Sequence, residues 1–255
     1  MSMGYLLLAD AGQYGATAGV TQPMLDQASR LIDQYCGRPA GFVIETNQGA
    51  PVCMAQLEPA LSFPVGPIPA GISVPLAVPA WAVVAAGEVL VLDRGAATAE
   101  AVVVQSLAGQ VAILQQVQHA HAAGQALTGL CIKEEGPVPA KGVFPLRLSP
   151  VIPLAAAVGG QLAQLQRADG GLTLPAGAGR AEISYLSGWV SAPGAIKQAC
   201  ARIASNIASK PVADDLVSHT VDGVSYRYSE HSPLAFGGYI DNGAAELLKP
   251  FIQRV

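Results

Sequence analysis

Between Glu182 and Ser209 the chain changes period. Ile183, Tyr185 and Trp189 fall on one side of an alternating run, and Glu182, Ser184 and Ser187 on the other. That is the two-residue period of a half-buried strand. Gly188 breaks the run. Pro193 then opens a helix, because the first helical turn leaves its N–H groups unpaired and loses nothing to a proline. Ile196, Ala199, Cys200, Ile203, Ala204, Ile207 and Ala208 recur at the spacing of one helix face, with Lys197, Gln198, Arg202, Asn206 and Lys210 opposite. The apolar face is narrow and rich in alanine, so a neighbouring helix can approach closely. Pro211 stops the helix.

A second helical pattern starts at Thr21, with Pro23 in its first turn. Met24, Leu25, Ala28, Leu31, Ile32 and Tyr35 form its apolar stripe, and Gly37 and Pro39 end it. From Phe42 the helical period is gone. Residues 42–44 suggest a short strand and 45–56 a loop or hairpin. Residues 57–80 contain Pro59, Pro64, Pro67, Pro69, Pro75 and Pro79, a spacing no helix survives, with an edge strand at 72–76. Short Val/Ile/Leu runs follow at 83–84, 88–92, 100–105, 110–114 and 127–132, separated by glycine-containing turns. Such close spacing predicts a small barrel or sandwich. Residues 57–140 therefore read as an inserted β-barrel-like domain, with Gly136-Pro137-Val138-Pro139 as its exit. Residues 143–155 look extended, and 159–178 read as a hairpin around Asp169-Gly170-Gly171. Asp222-Gly223 between two alternating runs is a hairpin signal. A short helix from Asn242 carries Leu247, Leu248, Phe251 and Ile252, and is too short to stand alone. The expected fold class is α+β: a small helical core with β-hairpins from 1–56 and 141–255, plus the insert at 57–140.

Composition narrows the function. Of 255 residues, 51% are hydrophobic and only 13% charged. So little charge leaves much of the surface neutral, as in a subunit that buries surface against partners. The net charge of −4 provides no basic face for a phosphate backbone. Residues 5–9 are apolar but too short for a signal sequence, and no apolar run of about 18 residues suggests a membrane span. Cys36, Cys53, Cys131 and Cys200 are scattered and read as reduced, buried thiols.

Candidate chemistry is sparse. His119 and His121 share a face if they lie on a strand, yet no acidic or thiol side chain is close in sequence to complete a metal set. Neither G-x-S-x-G nor G-x-G-x-x-G occurs, and Gly136 to Gly142 has its lysine misplaced for a phosphate loop. Asp93-Arg94-Gly95 reads as a turn and Asp214-Asp215 as a solvated loop pair. The expectation is that this is not an enzyme and that no cofactor or metal is used. Phe236, Tyr239, Phe251 and the Tyr226/Tyr228 pair lie in a glycine-punctuated C-terminal region, where they either close the subunit core or anchor a partner.

Three segments in order carry a resemblance. They are Leu31 to Pro39 (L-I-D-Q-Y-C-G-R-P); Leu148 to Leu154 (L-S-P-V-I-P-L), leading to E-I-S-Y-L-S-G-W and the P-G-A-I-K-Q-A helix; and D-G-V-S-Y-R-Y, followed by E-L-L-K-P-F-I-Q-R-V at Glu246 to Val255. Over residues 20–45 and 145–255 the chain resembles the head–tail connector (adaptor, or head-completion) proteins of tailed phages. The insert departs from the compact members and resembles small β-barrel modules of other virion proteins.

The resemblance implies a dodecameric ring under the portal protein, in the neck of a virion assembled in the host cytoplasm. DNA passes through its lumen without specific binding. A tail-completion, stopper or tail-terminator protein docks on the opposite face, and no membrane is involved. Carried onto this chain, 236–255 is the portal-binding arm, with Phe236, Tyr239, Leu247, Leu248, Phe251 and Ile252 as its contacts. The two long helices, through Leu25, Leu31, Ile32, Tyr35, Ile196, Ile203 and Ile207, form the subunit core and ring contacts. Two rivals remain. One is a virion decoration or receptor (glycan)-binding protein acting through the β-insert, which exposure of Trp81 or Trp189 would favour. The other is a hydrolase or metal enzyme, which needs a converging cluster of histidines and acids.

Overall fold

The computed structural model describes residues 4–140, 142–168, 171–175, 179–209, 218–221, 224–227 and 238–252. The fold is α+β, and the chain divides into two compact units. One is Ala40–Val190, all β; the other joins Met1–Pro39 to Ser191–Arg254 and is mainly helical. The division falls at 39/40 and 190/191, not at 57 and 140 as the proline run and the Gly-Pro exit suggested. Strand pairing is the reason: residues 132–137, expected inside the insert, are a ladder partner of 180–185, expected outside it.

The β unit begins with a hairpin of β1 (Ile44–Asn47) and β2 (Ala50–Met54). Then come β3 (Leu61–Val65), β4 (Gly71–Ala77), β5 (Val89–Leu92), β6 (Glu100–Ala108), β7 (Val111–Val117) and β8 (Gly124–Thr128). These six form one antiparallel sheet in the order β3-β8-β5-β6-β7-β4, curled into a half-barrel. Its core is the set of inward positions, among them Phe63, Val74, Leu76, Leu90, Leu92, Val102, Val104 and Leu114. The proline run holds a strand that the sequence reading missed: Pro64 sits in β3, an edge strand, where a missing N–H costs no ladder bond. Pro75 does the same in β4, the other edge, which the sequence anticipated. Residues 83–84, expected as strand, form none.

Beyond the half-barrel lie β9 (Ile132–Pro137), β10 (Val143–Pro145), β11 (Val151–Val158), β12 (Gln161–Ala163), β13 (Gln166–Ala168), β14 (Gly171–Thr173) and β15 (Arg180–Ser187). They make a four-stranded sheet, β12-β11-β15-β9, and a three-stranded one, β10-β14-β13. The alternation expected of 182–189 holds only at its start. Glu182 is exposed and Ile183 buried, but Ser184 to Ser187 are all buried. The strand lies between two cores: Ile183 and Tyr185 belong to one, Leu186 to another with Met54 and Val89. β15 ends at Ser187, and Gly188 lets residues 42–44 lie across it. Trp189 N–H donates to the Phe42 carbonyl (2.9 Å) and Ile44 N–H to that of Trp189 (3.0 Å). A Cβ on Gly188 would stand 2.6 Å from the Phe42 oxygen, inside contact distance, so only glycine fits. Trp189 is half-buried and stacks on Phe42, with ring centroids 6.1 Å apart.

The helical unit holds α1 (Leu8–Ala11), α2 (Gln22–Tyr35), α3 (Gly194–Ser209) and α4 (Asn242–Leu248). It also includes the hairpin of β16 (Ser218–Val221) and β17 (Val224–Arg227). α2 and α3 follow the expected pattern. Leu25, Ile32, Ile196 and Ile203 are fully buried, while Leu31, Tyr35 and Ile207 are half-buried. Small side chains mark where the helices meet. Ser29 Oγ donates to the Leu25 carbonyl (2.9 Å) and lies 3.6 Å from Cys200 Sγ. Residues 4–20 are tied to both long helices. Tyr5 N–H donates to Ser29 Oγ (3.0 Å), the Tyr5 hydroxyl to Asp33, and Thr17 N–H to Ser205 Oγ on α3 (3.0 Å). Pro211, Asp214-Asp215, Asp169-Gly170 and Asp222-Gly223 lie outside the described residues.

Candidate functional site

Among the described residues, two places hold chemistry or anchoring groups: a buried acid–histidine cluster in the half-barrel, and the C-terminal helix.

Glu100 opens β6 in phase with Val102 and Val104, so the strand period carries its side chain inward. A buried carboxylate needs partners, and it has them. Its two oxygens accept from the backbone N–H groups of Gln118 (2.8 Å) and His119 (2.9 Å), and Oε1 lies 2.8 Å from His121 Nε2. On the other side of the ring, His121 Nδ1 lies 2.8 Å from Asp93 Oδ2. The His121 side chain is 1% exposed, that of Glu100 8% and that of Asp93 20%. Asp93 reaches the ring from a left-handed conformation (φ 49°) at the end of β5. Gly124 leaves room: a Cβ there would stand 2.3 Å from Asp93 Oδ1.

The surrounding backbone is fastened from two sides. His121 and Ile68 exchange N–H···O bonds of 2.8 and 3.0 Å, tying the β3–β4 loop to the β7–β8 loop. Arg94, beside Asp93, grips Glu45 through Nε and Nη2 (3.1 and 2.6 Å) and also donates to the carbonyls of Ala55 and Leu57. Asn47 Nδ2 donates to Ala97 and Ala99. An ionised carboxylate only accepts, so satisfying both contacts of His121 takes a proton on each ring nitrogen or on one of the acids. Neither nitrogen then keeps a lone pair aimed at a metal or at a nucleophile. Among the described residues, no group of three or more His, Cys, Asp and Glu side chains could hold a metal ion. The arrangement is a clasp across three chain segments.

Along the sequence His121 has no acid close by, and Asp93-Arg94-Gly95 looks like a turn alone. The fold supplies both acids, because β5 lies between β8 and β6 and so brings the ends of both loops together. The signal that could have found them is Glu100, a carboxylate at a core-phase position of an otherwise apolar strand.

The C-terminal helix is docked. Asp241 caps α4: one oxygen accepts from Ala244 N–H (2.8 Å), and the carboxylate also meets Arg202 Nε of α3 at 2.8 Å. Asn206 Nδ2, also on α3, donates to the Tyr239 carbonyl (2.9 Å). Burial works against the ionised Asp241 carboxylate, but these donors outweigh it and hold its pKa below the usual value. Ile240, Ala244 and Leu248 are fully buried.

No family model, curated protein or solved structure matches this chain.

The residues expected to form a free arm therefore separate. Leu248 is core of the helical unit, so it is unavailable as a contact, because the helix around it is pinned to α3. Tyr239 and Leu247 are half-buried, Phe251 is half-buried, and Ile252 is 39% exposed. Phe236 lies outside the described residues. Leu25, Ile32, Ile196 and Ile203 face the interior of the unit. Trp81, in the β4–β5 loop, is 61% exposed, Val83 two residues on is 88% exposed, and Ile72 in β4 is 80% exposed. No helix among the described residues is long and apolar enough to cross a membrane.

Proposed function

We propose that this chain is a structural virion protein of the neck: a head–tail connector whose copies form a ring below the portal and present the opposite face to a tail-completion, stopper or terminator protein. The carrying observation is the discontinuous helical unit. α2 comes from one end of the chain, while α3, the β16–β17 hairpin and α4 come from the other, and a whole β unit sits between them in sequence. The connector resemblance implies an early helix, the strands of 148–154 and 182–189, a second helix, a hairpin and a terminal helix; the helices and hairpin keep that order in the helical unit, while the two strands, β11 and β15, belong to the β unit. A charged fraction of 13% supports a role in assembly. On this reading the chain is no enzyme and uses no cofactor, and DNA passes it without specific contacts.

The portal contact falls to Phe251 and Ile252, past the docked part of α4. The test is capture of the portal protein by the intact chain and by Ile252→Asp. Burying an unpaired carboxylate in an apolar contact weakens binding at least tenfold on the scale of interface anchors. Equal capture by both overturns the portal assignment.

A second reading has its own observation. The exposed Trp81 favours a decoration or receptor-binding role in which the β unit stacks its indole on a sugar ring. A glycan array separates the two, since a connector retains no sugar.

A further inference from the structure

Residues 4–20 form only α1 and a 3-10 turn at Gly12–Tyr14, and hydrogen bonds fasten them to the long helices. Leu8 N–H donates to Gln22 Oε1 (2.9 Å), Gln22 Nε2 to the Leu6 carbonyl (3.2 Å), and Thr17 N–H to Ser205 Oγ (3.0 Å). Lys197 Nζ sits 5.6 Å from the centre of the Tyr14 ring. Tyr5, Leu6, Ala11 and Val20 are buried, whereas Leu7 and Leu8 are 63% and 48% exposed. A segment held by so little apolar surface opens at a lower free energy than the helices beneath it. The turn that joins it to α2 passes through Gly15 and Gly19. Both are left-handed (φ 86° and 92°), and no other group stands within 4 Å of where a Cβ would be. Glycines so placed leave the backbone free to swing.

The far end of the segment closes on a buried acid. Ser29 and Asp33 stand one turn apart on α2, and Tyr5 spans both. Its N–H donates to Ser29 Oγ (3.0 Å) and its hydroxyl to the Asp33 carboxyl. Tyr5 is 4% exposed and Asp33 6%, so the contact is dry. The groups that face Asp33 are Tyr5 from the segment, Cys36 and Arg38 at the end of α2, and Cys200 from α3. Burial raises the Asp33 pKa to about 7, against the pull of the Tyr5 hydrogen bond and the Arg38 charge. The two thiols are pushed up to about 12, chiefly by burial, and stay protonated there. A neutral carboxyl suits this place. An ionised one has lost its water, and lifting Tyr5 away would return it.

We propose that residues 4–20 are a proton-gated strap, closed on α2 and α3 while Asp33 is protonated and released about the Gly15–Gly19 hinge when Asp33 ionises. The closed strap holds the Asp33 proton more tightly than the open one. Closure is therefore favoured fully below the ordinary carboxyl value of 3.8, and that advantage is lost as pH climbs to about 7. Between pH 5 and pH 8 those two limits lower the ratio of closed to open strap by about a hundredfold when the strap supplies all of the burial. Release uncovers the Ser29–Asp33 face of α2. The device stands whether or not the chain binds a portal.

The test is hydrogen exchange of the full chain at pH 5 and pH 8, each amide referred to its unstructured rate at that pH. The amides of Tyr5, Leu8 and Thr17 report the strap, and those of Ile203 and Ala204 in α3 report unfolding of the whole helical unit. In the wild type, strap protection is expected to fall at least about tenfold from pH 5 to pH 8, and at pH 8 the strap exchanges well ahead of α3. In Asp33→Asn, strap protection should change by less than about threefold over the same range. Tyr5→Phe keeps the ring and tests the contact without touching the acid. A hydrogen bond to an ionised carboxylate is stronger than one to a neutral carboxyl, so this variant should lose more protection at pH 8 than at pH 5. Strap amides that exchange only together with those of α3 overturn the inference. So does a level wild-type profile, an Asp33→Asn profile that falls as the wild type does, or a Tyr5→Phe loss equal at both pH values.

Discussion

Replacing His121 with leucine removes the one group that bridges Asp93 and Glu100. Deleting one partner of a buried hydrogen-bonded cluster costs up to about 3–5 kcal/mol, the figure for a broken buried ion pair. Two features here reduce that figure. Asp93 is 20% exposed and recovers some hydration, and Glu100 keeps the two backbone N–H groups of Gln118 and His119. The expected loss is about 3 kcal/mol, or a fall in melting temperature of roughly 6–12 °C for a chain of this size. Both tryptophans, Trp81 and Trp189, lie in the β unit, so urea unfolding followed by their fluorescence reports that unit alone. Adding Asp93→Asn and Glu100→Gln to His121→Leu removes the stranded carboxyl groups and should restore much of the loss, since an apolar or neutral replacement of a whole buried cluster is tolerated better than half of one. A single variant within about 1 kcal/mol of wild type, the range of an exposed pair, would refute the claim that this clasp is buried and structural.

Three further outcomes are expected. Burial raises the pKa of Asp33 from 3.8 to about 7, against the opposing pull of the Tyr5 hydrogen bond and the Arg38 charge. A carboxyl raised in the folded state favours folding fully below its unfolded pKa, and that advantage is lost as pH climbs to about 7; Asp33→Asn should therefore gain roughly 2–4 kcal/mol on wild type between pH 4 and pH 8, read from the helical signal at 222 nm in denaturant, and parallel pH curves would refute it. The four thiols are all buried, chiefly by which their pKa values rise to about 12 for Cys36, Cys53 and Cys200 and about 11 for Cys131; none should react with a thiol reagent at pH 8 in the native protein and all should in denaturant, so rapid native labelling contradicts the packing. Gly188→Ala should destabilise the β unit by about 2 kcal/mol or more by pushing residues 42–44 off residue 189, visible in the same fluorescence assay, whereas an unchanged midpoint denies the contact.

What could be read from the sequence followed from how local its causes are. α2 and α3 were legible because one face of each meets a core and the other meets water, and proline or threonine marks their starts. The edge position of β4 was legible from Pro75. The second half of β15 was not, because Ser184 and Ser187 look like a wet face until separate cores pack on the two faces of the strand. β9 was lost for a related reason. Its Glu134 and Glu135 break the apolar pattern of a strand, but Tyr185 donates to the first and Arg180 to the second across the ladder. The clasp at His121 joins residues that no sequence window holds together. The docking of α4 rests on Arg202 and Asn206, which on α3 alone looked like solvated polar positions.

We propose that this chain works by assembling at a portal. Electron microscopy and native mass of the purified protein, with and without the portal protein of the same particle, test it most directly. Closed rings, free or seated on the portal, are the predicted result. A protein that forms no ring in either sample and leaves the portal bare would contradict it.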